Sequence, residues 1–307
     1  MKRFTLKISI SALALMLVFP VFSQITLQYN FKQGETFKQN MEVSMNVVHS
    51  IMDQEMKASI TMNCKTNYEV MDVKDENYTL KITYKEFKMN TAAPDAGNIS
   101  FDSNTPEDIA TQQDLGPMFK AIVDKPLETV ITKRGEVVSA KGMEKLAEAM
   151  RNSLDENIPE DIKQQLITQT GAQFSEESIK ALFMQNSNFF PGKPVNTGDS
   201  WNVKTSMNIP NFTMDIDTKI TLNDIENGEA VMEVEGNIST PEGYEQEFNG
   251  MKVKVIFKGT QKGLVKINRN TGWITSSNMT QSFSGNMEIQ GMQIPISATS
   301  TILITDK

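Results

Sequence analysis

From Ile25 onward the chain alternates apolar and polar residues, and a period of two leaves few folds open to it. Segments 25–31, 36–50, 56–73 and 78–89 all mix β-branched, aromatic and Met residues with polar ones in this rhythm. Successive side chains of a strand point to opposite faces, so each segment reads as a strand with one buried and one solvated face. Lys74-Asp75-Glu76-Asn77 is a polar turn that should close a long hairpin between the last two. The rhythm returns after Trp201, where seven strands are expected at 201–209, 212–223, 230–240, 244–257, 263–268, 273–284 and 293–305. Asn227-Gly228 and Asn270-Thr271-Gly272 supply turns among them.

The middle of the chain switches period. Residues 90–104 read as loop, with Pro94, Gly97 and Asn98 as breakers. Thr105-Pro106 offers an N-cap and a first-turn proline, which predicts a helix toward Val123, split or kinked at Gly116-Pro117. Two short strands flank Lys133-Arg134-Gly135 as a hairpin. Met143, Leu146, Met150 and Leu154 then share one helix face, and Pro159 starts a second helix carrying Ile162, Leu166 and Ile167. Phe174 before Ser175, with Ile179 behind, matches a hydrophobic staple around the N-cap of a third helix ending near residue 186.

Together these elements predict an α+β fold: a large curved antiparallel sheet, half-barrel or incomplete barrel, with mid-chain helices covering its concave face. A sheet of about ten or more strands does not stay flat. The division is a leader at 1–23 and one β-rich domain at 24–307, made of β halves 24–140 and 198–307 around a helical insert at 141–190. The halves echo each other. Gly34-Glu35-Thr36-Phe37 and Ser44-Met45-Asn46-Val47 correspond to Gly198-Asp199-Ser200-Trp201 and Ser206-Met207-Asn208-Ile209. Ile131 to Val137 corresponds likewise to the stretch from Ile267 to Ile274. The echo has two readings, a pair of related β units or two generic meanders with similar turns.

The leader sets the expected location. Lys2, Arg3 and Lys7 precede an apolar stretch from Ile8 to Phe22, and Val21 and Ser23 occupy the −3 and −1 positions of a signal-peptidase cut before Gln24. No later stretch is a stop-transfer segment and no Cys lies near the cut, so the expected product is exported to the periplasm or beyond, without a lipid anchor or an integral membrane segment. The net charge of −8, more negative once the leader is gone, argues against nucleic-acid partners.

Chemistry-bearing motifs are sparse. Cys64 is the single cysteine, so no intrachain disulfide forms, and its apolar surroundings predict a buried, inert thiol. His49 is the single histidine, which removes metal sites built on two or three His, and it reads as a surface or edge residue. Asp215 and Asp217, Glu233 and Glu235, and Glu245 and Glu247 are i, i+2 pairs that share a strand face. They suit the solvated side of a sheet, and two-carboxylate hydrolysis is the alternative. Methionine is abundant at 20 residues. Met41, Val43 and Met45 share a strand face, and Met143, Leu146 and Met150 with Ile179, Leu182 and Phe183 lie on the helices expected to meet it. These nine are the candidate lining of an apolar cavity, since flexible thioethers suit variable apolar ligands.

Tyr29-x-Phe31-x-x-Gly34-Glu35-x-Phe37, the 131–138 hairpin leading to Gly142, Gly198-Asp199-Ser200-Trp201, and Gly263-x-Val265-x-Ile267 through Thr271-Gly272 resemble a domain-of-unknown-function family of exported Bacteroidota proteins. That resemblance spans nearly the whole mature chain and implies no catalytic residues. The inferred architecture is also similar in shape to periplasmic lipoprotein carriers, an analogy of fold. The expectation is a non-enzymatic binding or carrier protein for a lipid or other apolar ligand, without cofactor. An envelope scaffold and a carboxylate hydrolase are the alternatives. Sequencing the amino terminus of the exported protein, expressed from Met1, should give Gln24 first; an exported product that keeps Met1 would overturn the leader assignment.

Overall fold

The computed structural model describes residues 24–51, 54–93, 98–109, 114–171, 174–187, 189–209, 212–248, 251–289 and 291–306. The expected leader, 1–23, lies outside them. In chain order the elements are β1 (Thr36–Ile51), β2 (Gln54–Lys74), β3 (Asn77–Ala92), β4 (Ile99–Asp102), α1 (Gly116–Ile122), β5 (Pro126–Thr132), β6 (Val137–Lys141), α2 (Met143–Asn152), α3 (Glu160–Gly171) and α4 (Glu176–Ser187). They continue with β7 (Ser200–Ile209), β8 (Phe212–Glu226), β9 (Glu229–Ser239), β10 (Glu245–Phe248), β11 (Met251–Asn268), β12 (Ile274–Ile289) and β13 (Met292–Thr305).

All thirteen strands form one antiparallel sheet in the order β6-β5-β3-β2-β1-β13-β12-β11-β9-β8-β7, with β4 beside β3 and β10 beside β11. The halves meet where β1 pairs with β13, from Asn40 opposite Thr305 to His49 opposite Ile296. The path begins at β6 and ends at β7 without pairing them, so the sheet is curved and unclosed, and α4 packs against both ends. Strands β11 and β12 approach closely. Gly285 lies opposite Phe257, and a Cβ there would stand 1.9 Å from the Ile256 carbonyl oxygen, so only glycine permits that approach.

The two halves repeat a hydrogen-bond pattern. Gly34 N donates to Val70 O at 2.8 Å and Val70 N to Glu35 O at 2.9 Å; Gly198 N donates to Leu222 O at 2.7 Å and Leu222 N to Asp199 O at 3.0 Å. The Glu35 and Asp199 carboxylates each accept from the backbone N–H three residues earlier, Lys32 and Asn196, both at 2.8 Å. Irregularities fall at matching places, between Val70 and Asp72 in β2 and between Leu222 and Asp224 in β8. The later turns also match. Gly135 N donates to Thr132 O and Gly272 N to Asn268 O, the second turn being one residue longer.

Several expectations are corrected. Segment 25–31 is no sheet strand: beyond one bridge between Ile25 and Val195 it is a strap, Tyr29 N donating to Lys133 O at 2.8 Å and Asn30 N to Thr271 O at 3.0 Å. It therefore ties together the corresponding turns of the two halves. The stretch read as loop contains β4, because β3 runs on to Ala92 and offers it an edge. The helix expected from Thr105 begins only at Gly116. The Asp102 carboxylate accepts from Asn104 N at 2.9 Å and its carbonyl from Thr105 N at 3.0 Å, which holds that stretch in a turn. Pro117 instead sits in the first turn, where its missing N–H is not needed. The gap expected at 258–262 lies inside continuous β11.

The buried side chains of the helices join the core of the first half, while α4 also touches β7. Leu146, Met150, Ile158, Ile167, Phe174, Ile179 and Phe183 join Tyr68, Leu80, Ile82, Tyr84 and Phe87 in one core. Full burial of a side chain such as Leu146 or Met150 contributes about 1.5–3 kcal/mol. The Phe174–Ile179 staple forms as read, with Ser175 Oγ accepting from Ser178 N at 3.2 Å. A second core, of Trp201, Ile220, Leu222, Met232, Val234, Val265 and Ile267, is closed among the described residues by Leu27 and Val195 and not by a helix. A Cβ on Gly272, at φ +74°, would stand 2.2 Å from the strap's Gln28 carbonyl oxygen. Gly272→Ala should therefore destabilise the fold by about 2 kcal/mol or more, read as a lower urea midpoint; an unchanged midpoint would mean the strap does not hold the halves.

Candidate binding surface on the inner face

The register sorts side chains cleanly between the two faces of the sheet. Among the described residues, β1, β2, β7, β8, β9, β11, β12 and β13 place no Asp, Glu, Lys or Arg on the face that bears the cores. On β1 that inner face carries Phe37, Gln39, Met41, Val43, Met45, Val47 and His49, and on β2 Met56, Ala58, Ile60, Met62, Cys64, Thr66 and Tyr68. Charge goes to the other face. Asp217 pairs with Lys204 at 3.2 Å, Glu235 lies opposite Lys219 and Lys262, Glu233 accepts from Asn223 at 3.4 Å, and Glu245 lies opposite Lys254. By register the carboxylate pairs thus fall on the solvated face. His49 is half-buried, in register with Met56 and Ile296.

Beneath α4 the inner face encloses a cavity of about 260 Å³. Its walls include Met41, Met62, Cys64, Tyr84, Phe87 and Met89 from the sheet, and Phe174 and Ile179 from around α4. Gln39 and Thr66 form its polar corner, where the Tyr68 hydroxyl donates to Gln39 Oε1 at 3.2 Å and Cys64 Sγ lies 3.6 Å from Thr66 Oγ1. Burial pushes the Tyr68 and Tyr84 phenols well above their usual range and the Cys64 thiol up to about 11, the contact with Thr66 offsetting part of the latter.

Of the nine residues singled out from the sequence, Met41 and Ile179 line this cavity. Val43 and Met45 continue the same face, half-buried. Phe183 is buried, edge-on to Tyr68 with ring centroids 6.2 Å apart. Met143, Leu146 and Met150 instead line a separate groove of about 280 Å³ with Ile167, because α2 turns its apolar stripe toward α3. Leu182 falls within α4, its side chain outside the described residues. Met62, Met89, Tyr84, Phe87 and Phe174 were missed. Their alternation was visible, but the register that sets Met62 opposite Val43 and Met89 opposite Met62 was not.

The profile of a family of unknown function, DUF6263, matches residues 75–274. No curated protein matches the sequence. Among solved structures, lipovitellin, described for its lipid–protein interactions, is similar at 9% identity with a TM-score of 0.45 over 90% of this chain. The chain spans only 26% of that lipovitellin chain. The COG4313 outer membrane channel from Pseudomonas putida F1 is similar at 6% identity with a TM-score of 0.27, covering 90% of this chain and 97% of the channel. Neither likeness is strong enough to carry an argument.

The raised Cys64 pKa leaves little thiolate at pH 8, so folded protein should react with a thiol reagent about a hundredfold more slowly than urea-unfolded protein. Equal rates would show that the cavity wall is open to solvent.

Proposed function

Because the chain belongs to DUF6263, a family of unknown function, its role has to be read from its own surfaces, and we propose that it is a non-enzymatic, exported binding or carrier protein for an apolar ligand such as a lipid or acyl chain. One observation carries the reading: the inner face of an unclosed sheet bears apolar and uncharged side chains across eight strands. Part of that face, including Val43, Met45, Ile60, Phe283, Ile294 and Ile296, is half-buried and outside both cores, and an apolar surface left open in this way marks an interaction site. The cavity under α4, at about 260 Å³, is smaller than the roughly 300–1,000 Å³ of typical ligand pockets. It would hold one end of a ligand whose remainder lies along Val43, Met45 and Ile60, half-buried on the same face. The leader fits this role, since an exported carrier meets lipid in the envelope, and so does the shape analogy to lipoprotein carriers.

Native mass spectrometry of protein purified from its own compartment, with solvent extraction, tests the reading. A near-stoichiometric acyl or lipid species supports it. A clean apo mass that resists loading with added lipid refutes it and favours an envelope interaction protein. The faces offer a matched pair of variants. Met62→Glu places a carboxylate in the cavity wall, where burial without a partner is costly, and should weaken binding of a fluorescent acyl probe about tenfold or more. Thr61→Glu, one residue away on the exposed face, should leave binding unchanged.

A further inference from the structure

One row of the inner face is polar. Reading across the sheet from Met45, the register passes through Ser300, Gln281, Gln261, Gly236 and Thr218. The side chains are linked in sequence. Ser300 Oγ donates to Gln281 Oε1 at 3.3 Å, Gln281 Nε2 to Gln261 Oε1 at 3.2 Å, and Gln261 Nε2 to Thr218 Oγ1 at 2.9 Å. Gly236 leaves the space for the last of these, since a Cβ there would lie 3.1 Å from both Gln261 Nε2 and Thr218 Oγ1. The end members are buried, Thr218 at 8% and Ser300 at 5% exposure, whereas the two glutamines are half-buried.

A glutamine amide has two N–H donors, and each of these spends one within the row. The second N–H of Gln261 and of Gln281 has no partner among the described residues. Two adjacent donors therefore stand on an apolar surface that the sheet leaves free of cations. Met45, at the near end of the row, is four residues along β1 from Met41 in the cavity wall, about 13 Å at the rise of a strand.

We infer that this row seats the head of an uncharged amphiphile, its ester or amide carbonyl or its hydroxyl accepting from the spare N–H groups of Gln261 and Gln281 while its hydrocarbon tail runs toward the Met41–Met62 cavity. The inference rests on the apolar-ligand reading above and narrows it to one chemical class. Among the described residues a carboxylate or phosphate head at this row finds no Lys or Arg on the inner face of the strands that form it; Lys88, at the rim of the cavity, is paired with Glu86 and Asp102. Burying a charge unpaired is far costlier than leaving it in water. A bare hydrocarbon leaves both donors desolvated without an acceptor, which is also unfavourable.

The test is displacement of a fluorescent acyl probe from the mature chain by three competitors of equal chain length: a monoacylglycerol, the matching fatty acid held as its carboxylate at alkaline pH, and the matching alkane. The monoacylglycerol should displace the probe at about tenfold lower concentration than either of the others, the factor expected of one or two hydrogen bonds made in place of none. In Gln261→Leu/Gln281→Leu that advantage over the alkane should vanish while alkane binding is kept. Equal potency of monoacylglycerol and alkane, a carboxylate as potent as the ester, or a variant that keeps the preference would overturn the head-group assignment and leave the carrier reading standing. Failure of the probe and of all three competitors to bind would overturn both. The wild-type ranking decides the matter even if the double variant fails to fold.

Discussion

The molecule depends on one long antiparallel pairing, that of β1 with β13. It joins the first strand of the sheet to the last, and every inner-face row that spans both halves passes through it. The strap before β1 adds a second tie by bonding to the Lys133 turn of one half and the Thr271 turn of the other. Both ties link residues far apart in sequence, so neither forms until nearly the whole chain is present. Such non-local closure is intrinsically slow.

The distribution of charge gives the sheet its character. A transmembrane barrel turns apolar residues outward to lipid and keeps a polar lumen. Here the polarity is reversed: Asp, Glu, Lys and Arg decorate the outer face, while among the described residues the inner face is apolar apart from hydroxyl, amide and thiol groups and His49. Alternation alone serves both arrangements. What separates them is which face the helices and straps bury, and the aromatic cluster of Tyr29, Phe31, Phe37, Tyr68 and Trp273 fixes that choice.

Much of this was legible in the chain because the signals were local. The staple at Phe174 and Ile179 needs only six adjacent positions, and Met41, Val43 and Met45 share a face on any strand. The gap expected at 258–262 was wrong because Gly259 stands within a continuous strand, where β12 lies so near to β11 that bulk is excluded. Thr105-Pro106 misled because a cap and a first-turn proline also suit a turn held by the Asp102 carboxylate. Met143, Leu146 and Met150 were placed on the right helix face, but no local pattern says which neighbour that face meets. The Gln261–Gln281 row was illegible for the same reason, since it exists only once five strands are in register.

The position of α4 has a consequence for the lifetime of the protein. An unpaired strand at the border of a sheet is a template on which another chain can build. This sheet has two such borders, β6 and β7, and a single short helix lies against both. Any excursion that lifts α4 therefore exposes both ends together, one able to accept a foreign strand and the other able to be donated. Head-to-tail polymerisation is the failure built into an open barrel stoppered in this way. The interactions that keep Phe183 against Tyr68 guard the solubility of the protein as much as the shape of its cavity.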